Sequence, residues 1–327
     1  MEPACSIPYE RRSVLGMSMA EGVIIRLDTG ACIVLSDGRP VRCSLPGKWR
    51  LRKRGETRPI AVGDRVRLTL LPTGEGVVEG VEPRTGGKLS RKAAGEREAE
   101  QVVAANVDQL VVVASVAEPE LNRRLLDRLV VSGEHGGLEV AVCLNKIDLA
   151  DGAAYEPVLA LYRRLGYRAL ATSAVSGAGV EDLRAVLRGK TSVFAGQSGV
   201  GKSALLMSVQ PGLDLRVGDV SAATGKGKHT TTAVSLLPLE FGGCVVDTPG
   251  IREFALYDIE RDELEHCFPE MAERFGRCRF ADCSHRQEPG CAIVAAVKGG
   301  EIDPERYESY CRIYESLPAP DPTRRRR

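Results

Sequence analysis

Between Glu21 and about Glu82 the apolar positions come in short runs rich in β-branched residues: GVIIRL, ACIVLS, RPVRCSL, DRVRLTL and EGVVEGV. Turn signals (DTG, DGR, VGD, PTGEG) separate the runs. Five short strands in about sixty residues predict a small closed barrel of the oligonucleotide-binding (OB) type. After a basic, glycine-containing connector at 84–98 the texture changes. VDQLVVVASV and LEVAVCLNKIDL are continuous apolar runs that end in polar loops, with helical segments between and after them. TSVFAG and GGCVVDTPG repeat the theme. Such runs belong to a parallel sheet covered on both faces, which predicts an α/β unit over roughly 100–255. From about Asp262 the pattern turns helical, passes a cysteine/histidine cluster and ends in PERYESYCRIYESL.

The expected architecture is therefore multidomain, as 327 residues allow. Residues 1–17 read as a disordered extension, 18–98 as the barrel with its linker, and 99–257 as the α/β domain. A helical metal-binding domain follows at 258–318 and a basic tail at 319–327. No internal repeat is visible. No apolar run reaches eighteen residues, so no membrane span is expected. Glu2, Glu10, Arg11 and Arg12 interrupt any signal-like stretch, which predicts a cytoplasmic protein. Of ten cysteines, Cys5, Cys32, Cys43, Cys143, Cys244, Cys267 and Cys311 are scattered, as small buried hydrophobes usually are. The net charge of +1 conceals a block between Arg39 and Arg97 with fifteen Lys/Arg against six Asp/Glu. That block is either a solvated face or the footprint of a polyanion.

The chemistry is clearest at Gly196-Gln197-Ser198-Gly199-Val200-Gly201-Lys202-Ser203, which follows a short apolar strand and precedes a helical stretch beginning Ala204. Its glycines let successive N–H groups face a phosphate at a helix N-terminus. Lys202 is expected to bridge the outer phosphates and the Ser203 hydroxyl to ligate Mg²⁺. Asn145-Lys146-Ile147-Asp148 selects the base. Its carboxylate can accept from the guanine N1–H and exocyclic amine, a donor pair that adenine lacks. Ser173-Ala174, after Thr172, matches a loop whose backbone N–H reads the guanine oxygen. Asp247-Thr248-Pro249-Gly250 closes a strand, with Asp247 placed to hold Mg²⁺ through water and the Gly250 N–H to meet the γ-phosphate. Within GKHTTT, Thr231 is the first candidate for the switch threonine and Thr230 the second.

In an ordinary small GTPase the phosphate loop comes first. Here the order is NKxD, SA, phosphate loop, HTTT, DTPG: the cyclic order is kept and the cut point has moved. The same loops can still converge on GTP or GDP. The second switch now leads straight into the C-terminal domain, which suggests nucleotide-controlled orientation of that domain.

Cys278, Cys283, His285 and Cys291 form C-x4-C-x-H-x5-C, four ligands within fourteen residues. They suit one structural Zn²⁺, or are plain thiols, with His266 and Cys267 nearby as substitutes. Lys48, Trp49, Arg50, Arg52, Lys53, Arg54 and Arg58 form a charged loop on the barrel; Trp49 either stacks on a base or plugs the barrel.

The motif order, the basic barrel, GQSGVGKSALL, GKHTTT, DTPGIREF and the cysteine cluster together resemble the ribosome small-subunit-dependent GTPase A (RsgA) family over roughly 20–317. That resemblance implies a GTPase that binds the small ribosomal subunit and its rRNA late in maturation, is stimulated by it, and is weak alone. Ile251 stands where many GTPases carry a water-orienting glutamine. His229 is the in-chain candidate for that role; the partner is the other. A competing reading is an RNA-binding scaffold with GTP as a slowly exchanging ligand, which Ile251 supports. An ATPase is a third, and Asp148 argues against it. Nothing demands more than a monomer.

Overall fold

The structure is a computed structural model that describes residues 17–28, 30–50, 60–92, 100–213, 234–247 and 259–318. The chain divides into two compact units, 1–106 with 225–236, and 107–224 with 237–327.

In the first unit β1 (Ser18–Leu27), β2 (Ala31–Ser36), β3 (Arg39–Ser44), β4 (Arg65–Leu70) and β5 (Gly76–Val81) close a barrel, with a short helix α1 (Gly47–Arg50) after β3. β1 pairs with β2 and β4, β3 with β2 and β5, and β4 with β5. Only the β3–β5 contact is parallel. The period-two alternation sends Ile24, Cys32, Val34, Cys43, Val66, Leu68 and Val78 inward. Arg39, Arg42, Arg65 and Arg67 stay exposed on the outside. Trp49 is half-buried and packs against the inner cluster.

Within the basic connector expected at 84–98 a strand forms: β6 (Gly87–Lys92) pairs with β7 (Glu100–Val107). Arg84, just ahead of it, grips the fully buried Asp64 at 2.7 and 2.9 Å. The charge and glycine content masked a ladder that tertiary pairing supports.

In the second unit β8 (Gln109–Ser115), β9 (Glu139–Asn145), β10 (Arg168–Ala171), β11 (Thr191–Ala195) and β13 (Cys244–Asp247) form a parallel array ordered β10-β9-β8-β11-β13. β12 (Ser235–Pro238) precedes β13 in the chain. Every residue of β8 is buried, as a doubly covered strand requires. Val111, Val113, Phe194 and Val245 pack with α4 (Val180–Leu187) and α5 (Lys202–Val209). The other face carries α2 (Arg123–His135) and α3 (Gly152–Arg164). Asn122 caps α2 by accepting the Leu125 N–H at 3.0 Å.

The C-terminal segment folds as a helical turn at Leu264–Cys267, α6 (Pro269–Ala272), α7 (Ala292–Lys298) and α8 (Pro304–Ser316). Its core of Leu264, Phe268, Met271, Ile293, Tyr310 and Ile313 takes in Val131 from α2. The same interface buries a charged triad. Arg306 of α8 is fully buried, with Nη1 2.7 Å from Asp127 of α2 and Nε 2.8 Å from Glu270 of α6. Tyr162 of α3 donates to the same Asp127 oxygen at 2.5 Å, and Phe268 lies beneath the guanidinium. Burial works against the Arg306 charge, but Asp127 and Glu270 outweigh it and push its pKa further up.

Among the described scattered cysteines, Cys32, Cys43, Cys143 and Cys267 are buried, Cys244 and Cys311 partly so, and all are free thiols.

Candidate functional site

The polar loops after β8, β9, β10 and β11 all leave the same, carboxyl edge of the parallel array. β9 and β10 extend the sheet on one side of β8, and the chain then returns to place β11 on the other. Strand order reverses there, which is where an open α/β sheet offers a crevice to a ligand.

The phosphate loop follows β11. Gly196 has φ +152° and lies so close to β8 that a Cβ would sit 2.0 Å from the Val113 carbonyl oxygen. Gly201 has φ +94°, and a Cβ there would sit 2.4 Å from Asn145 Nδ2. Any side chain at either place would push the loop out of shape. Gln197, Ser198 and Gly199 are exposed along its crest, Val200 is buried beneath it, and Ser203 and Ala204 are exposed on the first turn of α5. Lys202 Nζ donates to the carbonyls of Gly196 at 2.7 Å and Gln197 at 3.0 Å. The ammonium thus spans the concavity that a phosphate chain would fill. Burial pulls its pKa below the usual lysine range, and an arriving polyphosphate would oppose that shift.

The base loop is fastened to the phosphate loop by one side chain. Asn145, buried at the end of β9, donates from Nδ2 to the Val200 carbonyl at 2.9 Å, and its Oδ1 receives the Thr172 hydroxyl at 3.3 Å. Three motifs scattered over some sixty residues are thereby set in one frame. Lys146 has φ +64°, and its ammonium donates to the Glu118 carbonyl in the loop after β8. Asp148 is exposed, with one carboxylate oxygen receiving the Ser173 hydroxyl. Ser173 is itself buried, and its oxygen accepts the N–H groups of Val175 and Ser176 at 3.2 and 3.0 Å. Ser208 of α5 reaches the Ala174 carbonyl at 3.1 Å. The structure therefore gathers Asn145, Lys146, Asp148, Ser173, Ala174 and the 196–204 loop at one edge of the sheet.

Asp247 ends β13, next to β11. Its side chain, together with His229, Thr230, Thr231 and Gly250, lies outside the described residues. Sequence reasoning did not find Glu118, whose contribution is a main-chain carbonyl and so leaves no residue-type signal.

The cysteine/histidine cluster is compact. The ligand atoms of Cys278, Cys283, His285 and Cys291 all lie within 4.8 Å of one another. Cys278 Sγ is 3.9 Å from Cys291 Sγ, and His285 Nδ1 is 3.4 and 3.5 Å from those two sulfurs. Tetrahedral zinc with Zn–S of about 2.3 Å and Zn–N of about 2.0–2.1 Å needs edges of roughly 3.5–3.8 Å. The donor set fits. His266 instead packs edge-on against Phe275 at 4.9 Å, and Cys267 is buried in the apolar core, so neither substitutes.

Comparison with known proteins gives this geometry its relatives. A family model described as RsgA GTPase matches residues 81–257. A Moorella thermoacetica protein named small ribosomal subunit biogenesis GTPase RsgA is 44% identical over 290 residues, 89% of this chain and 94% of that one. The Chlorobaculum tepidum protein of the same name is 41% identical over 306 residues, 90% and 97% of the two chains. Among solved structures, YjeQ from Thermotoga maritima is 37% identical with a TM-score of 0.74, covering 91% of this chain and 98% of its own. YloQ, described as a circularly permuted GTPase, is 31% identical with a TM-score of 0.71, covering 93% and 97%. With the family model spanning more than half of its length and relatives matched almost end to end, this chain belongs to the RsgA GTPase family and is a circularly permuted GTPase.

Proposed function

We propose that this GTPase acts in the biogenesis of the small ribosomal subunit, binding the subunit and its rRNA in the cytoplasm and hydrolysing GTP to GDP and phosphate under the subunit's stimulation. The observation that carries the nucleotide part is the Asn145–Val200 hydrogen bond, which ties the 145–148 loop to the 196–203 loop. The names of its relatives carry the ribosomal part.

In this reading Asp148 accepts the guanine N1–H and amine, while Asn145 and Lys146 shape the base loop. Ser173 orients Asp148, and the Ala174 N–H meets the guanine oxygen. The N–H groups of Gly196 to Ser203 and the Lys202 ammonium hold the phosphates, with Ala204 in the turn that follows. Ser203, Thr231 (or Thr230) and Asp247 would hold Mg²⁺, which neutralises charge developing on the phosphates. Gly250 would contact the γ-phosphate, and His229 would orient the attacking water that Ile251 cannot. His229→Ala should then lower stimulated turnover far more than it weakens GTP binding; unchanged turnover would remove His229 from the mechanism.

Cys278, Cys283, His285 and Cys291 would hold one structural Zn²⁺, with no position left open for chemistry. Elemental analysis should find one zinc per chain. Chelation should unfold the C-terminal segment before the parallel sheet. The outward arginines of the barrel, Arg39, Arg42, Arg65 and Arg67, suit a phosphate backbone, so subunit binding should weaken steeply with salt.

The deciding experiment is steady-state GTP turnover with and without purified small subunits. A large stimulation supports the proposal. Equal, slow turnover favours the scaffold reading, for which Ile251 in the glutamine position is the specific observation.

A further inference from the structure

His285 is 5% exposed, and its backbone lies in the left-handed region at φ +61°. The ring is bracketed from two sides. Nδ1 faces Cys278 Sγ and Cys291 Sγ at 3.4 and 3.5 Å, so it is the nitrogen aimed at the centre of the cluster. Nε2, on the far side, lies 2.6 Å from Glu265 Oε2. Glu265 is none of the four ligands. It stands twenty residues earlier, in the turn Leu264–Cys267, with its side chain 26% exposed.

We propose that Glu265 is a positioning residue for the zinc site: it accepts the Nε2–H of His285 and so keeps the Nδ1 lone pair turned towards the metal. A neutral imidazole carries one N–H, and a nitrogen that binds a metal must be bare. A carboxylate 2.6 Å from Nε2 places the single proton there. When the ring gives electron density to a cation, its N–H becomes a stronger donor and the charge-assisted bond to the Glu265 carboxylate strengthens. The remaining contacts of His285 hold other parts of it. Tyr307 donates its hydroxyl to the His285 carbonyl at 2.9 Å, which fixes the backbone, and the Tyr310 ring packs beside the imidazole at 6.4 Å. At the ring itself the two sulfurs face Nδ1 and Glu265 faces Nε2, so Glu265 is the carboxylate placed to hold the proton on Nε2.

The inference rests on the zinc reading, and the test separates the two. In the full-length chain, zinc affinity is measured by competition with a chelator of known strength, in wild type, Glu265→Ala and Glu265→Gln. The wild type should hold one zinc. Glu265→Ala should bind roughly 10–100-fold more weakly while still taking up one ion at saturation. Glu265→Gln should lose less, because its amide oxygen can still accept the Nε2–H. Equal affinity in Glu265→Ala would overturn the positioning role; a wild type without zinc would overturn the zinc reading itself. A second readout needs no variant. In the zinc-loaded, ¹⁵N-histidine-labelled wild type, His285 should show a slowly exchanging Nε2–H, and a proton found on Nδ1 instead would refute the assignment.

Discussion

Replacing Arg306 with alanine should cost about 3–5 kcal/mol of stability, the range for removing one partner from a fully buried ion network. The substitution would leave Asp127 and Glu270 with no cation between them, and Asp127 Oδ2 already lacks a hydrogen-bond partner among the described residues. Packing adds to the loss, because the guanidinium lies 4.6 Å from the Phe268 ring centroid. Urea unfolding of wild type and variant measures the difference. Removing all three charges at once, with Arg306→Met, Asp127→Leu and Glu270→Leu, should recover much of it, since the penalty comes from uncompensated charge. A loss below 1 kcal/mol for Arg306→Ala alone would show that the triad is wet and loose. The triad joins α2 of the parallel-sheet layer to α6 and α8 of the C-terminal segment, and Arg123 of α2 adds contacts to Asp303 and Glu305. Such an interface opposes the idea, suggested by the motif order, that the C-terminal segment swings as a body with the second switch. Distance probes across α2 and α8 should therefore read the same with GDP and with a GTP analogue.

Asp148→Asn should move base preference from guanine to xanthine nucleotides. The carboxylate contributes two charge-assisted hydrogen bonds, at about 1.5–3 kcal/mol each, so GTP affinity should fall roughly 10²–10⁴-fold. The asparagine amide can donate to the 2-oxo group of xanthine, and its oxygen can still receive the Ser173 hydroxyl that now reaches Asp148. The loop should therefore keep its shape. Competition of GTP, XTP and ATP against a labelled diphosphate measures the outcome; unchanged GTP preference would remove Asp148 from the base site.

The local parts of the site were legible because their chemistry is contiguous. A glycine pattern between an apolar strand and a helix specifies its own backbone, and Gly196 and Gly201 prove to be the two places where a Cβ would collide. The barrel was equally legible, since alternation at Cys32, Val34, Val66 and Leu68 writes the inward face directly. Contacts between distant segments were not. Asp127 and Arg306 are 179 residues apart, and a charged residue in an amphipathic helix reads as solvated until its partner is known. Glu265 was hidden for the same reason, beside His266 and Cys267, which looked like better ligands. The β6–β7 ladder was not foreseen beside the basic connector because glycine and charge suppress strand propensity, while pairing depends on what lies alongside. Asp148 is exposed. The base itself would supply the cover that makes its hydrogen bonds discriminating.

The central claim is that one guanine nucleotide is held by loops whose order in the chain has been rotated. A crystal structure of the chain with GDP and Mg²⁺ tests it most directly. The guanine edge should meet the Asp148 carboxylate and the Ala174 N–H, with the β-phosphate on the N–H groups around Lys202. A nucleotide seated away from Asp148, or with its phosphates outside the 196–203 loop, would contradict it.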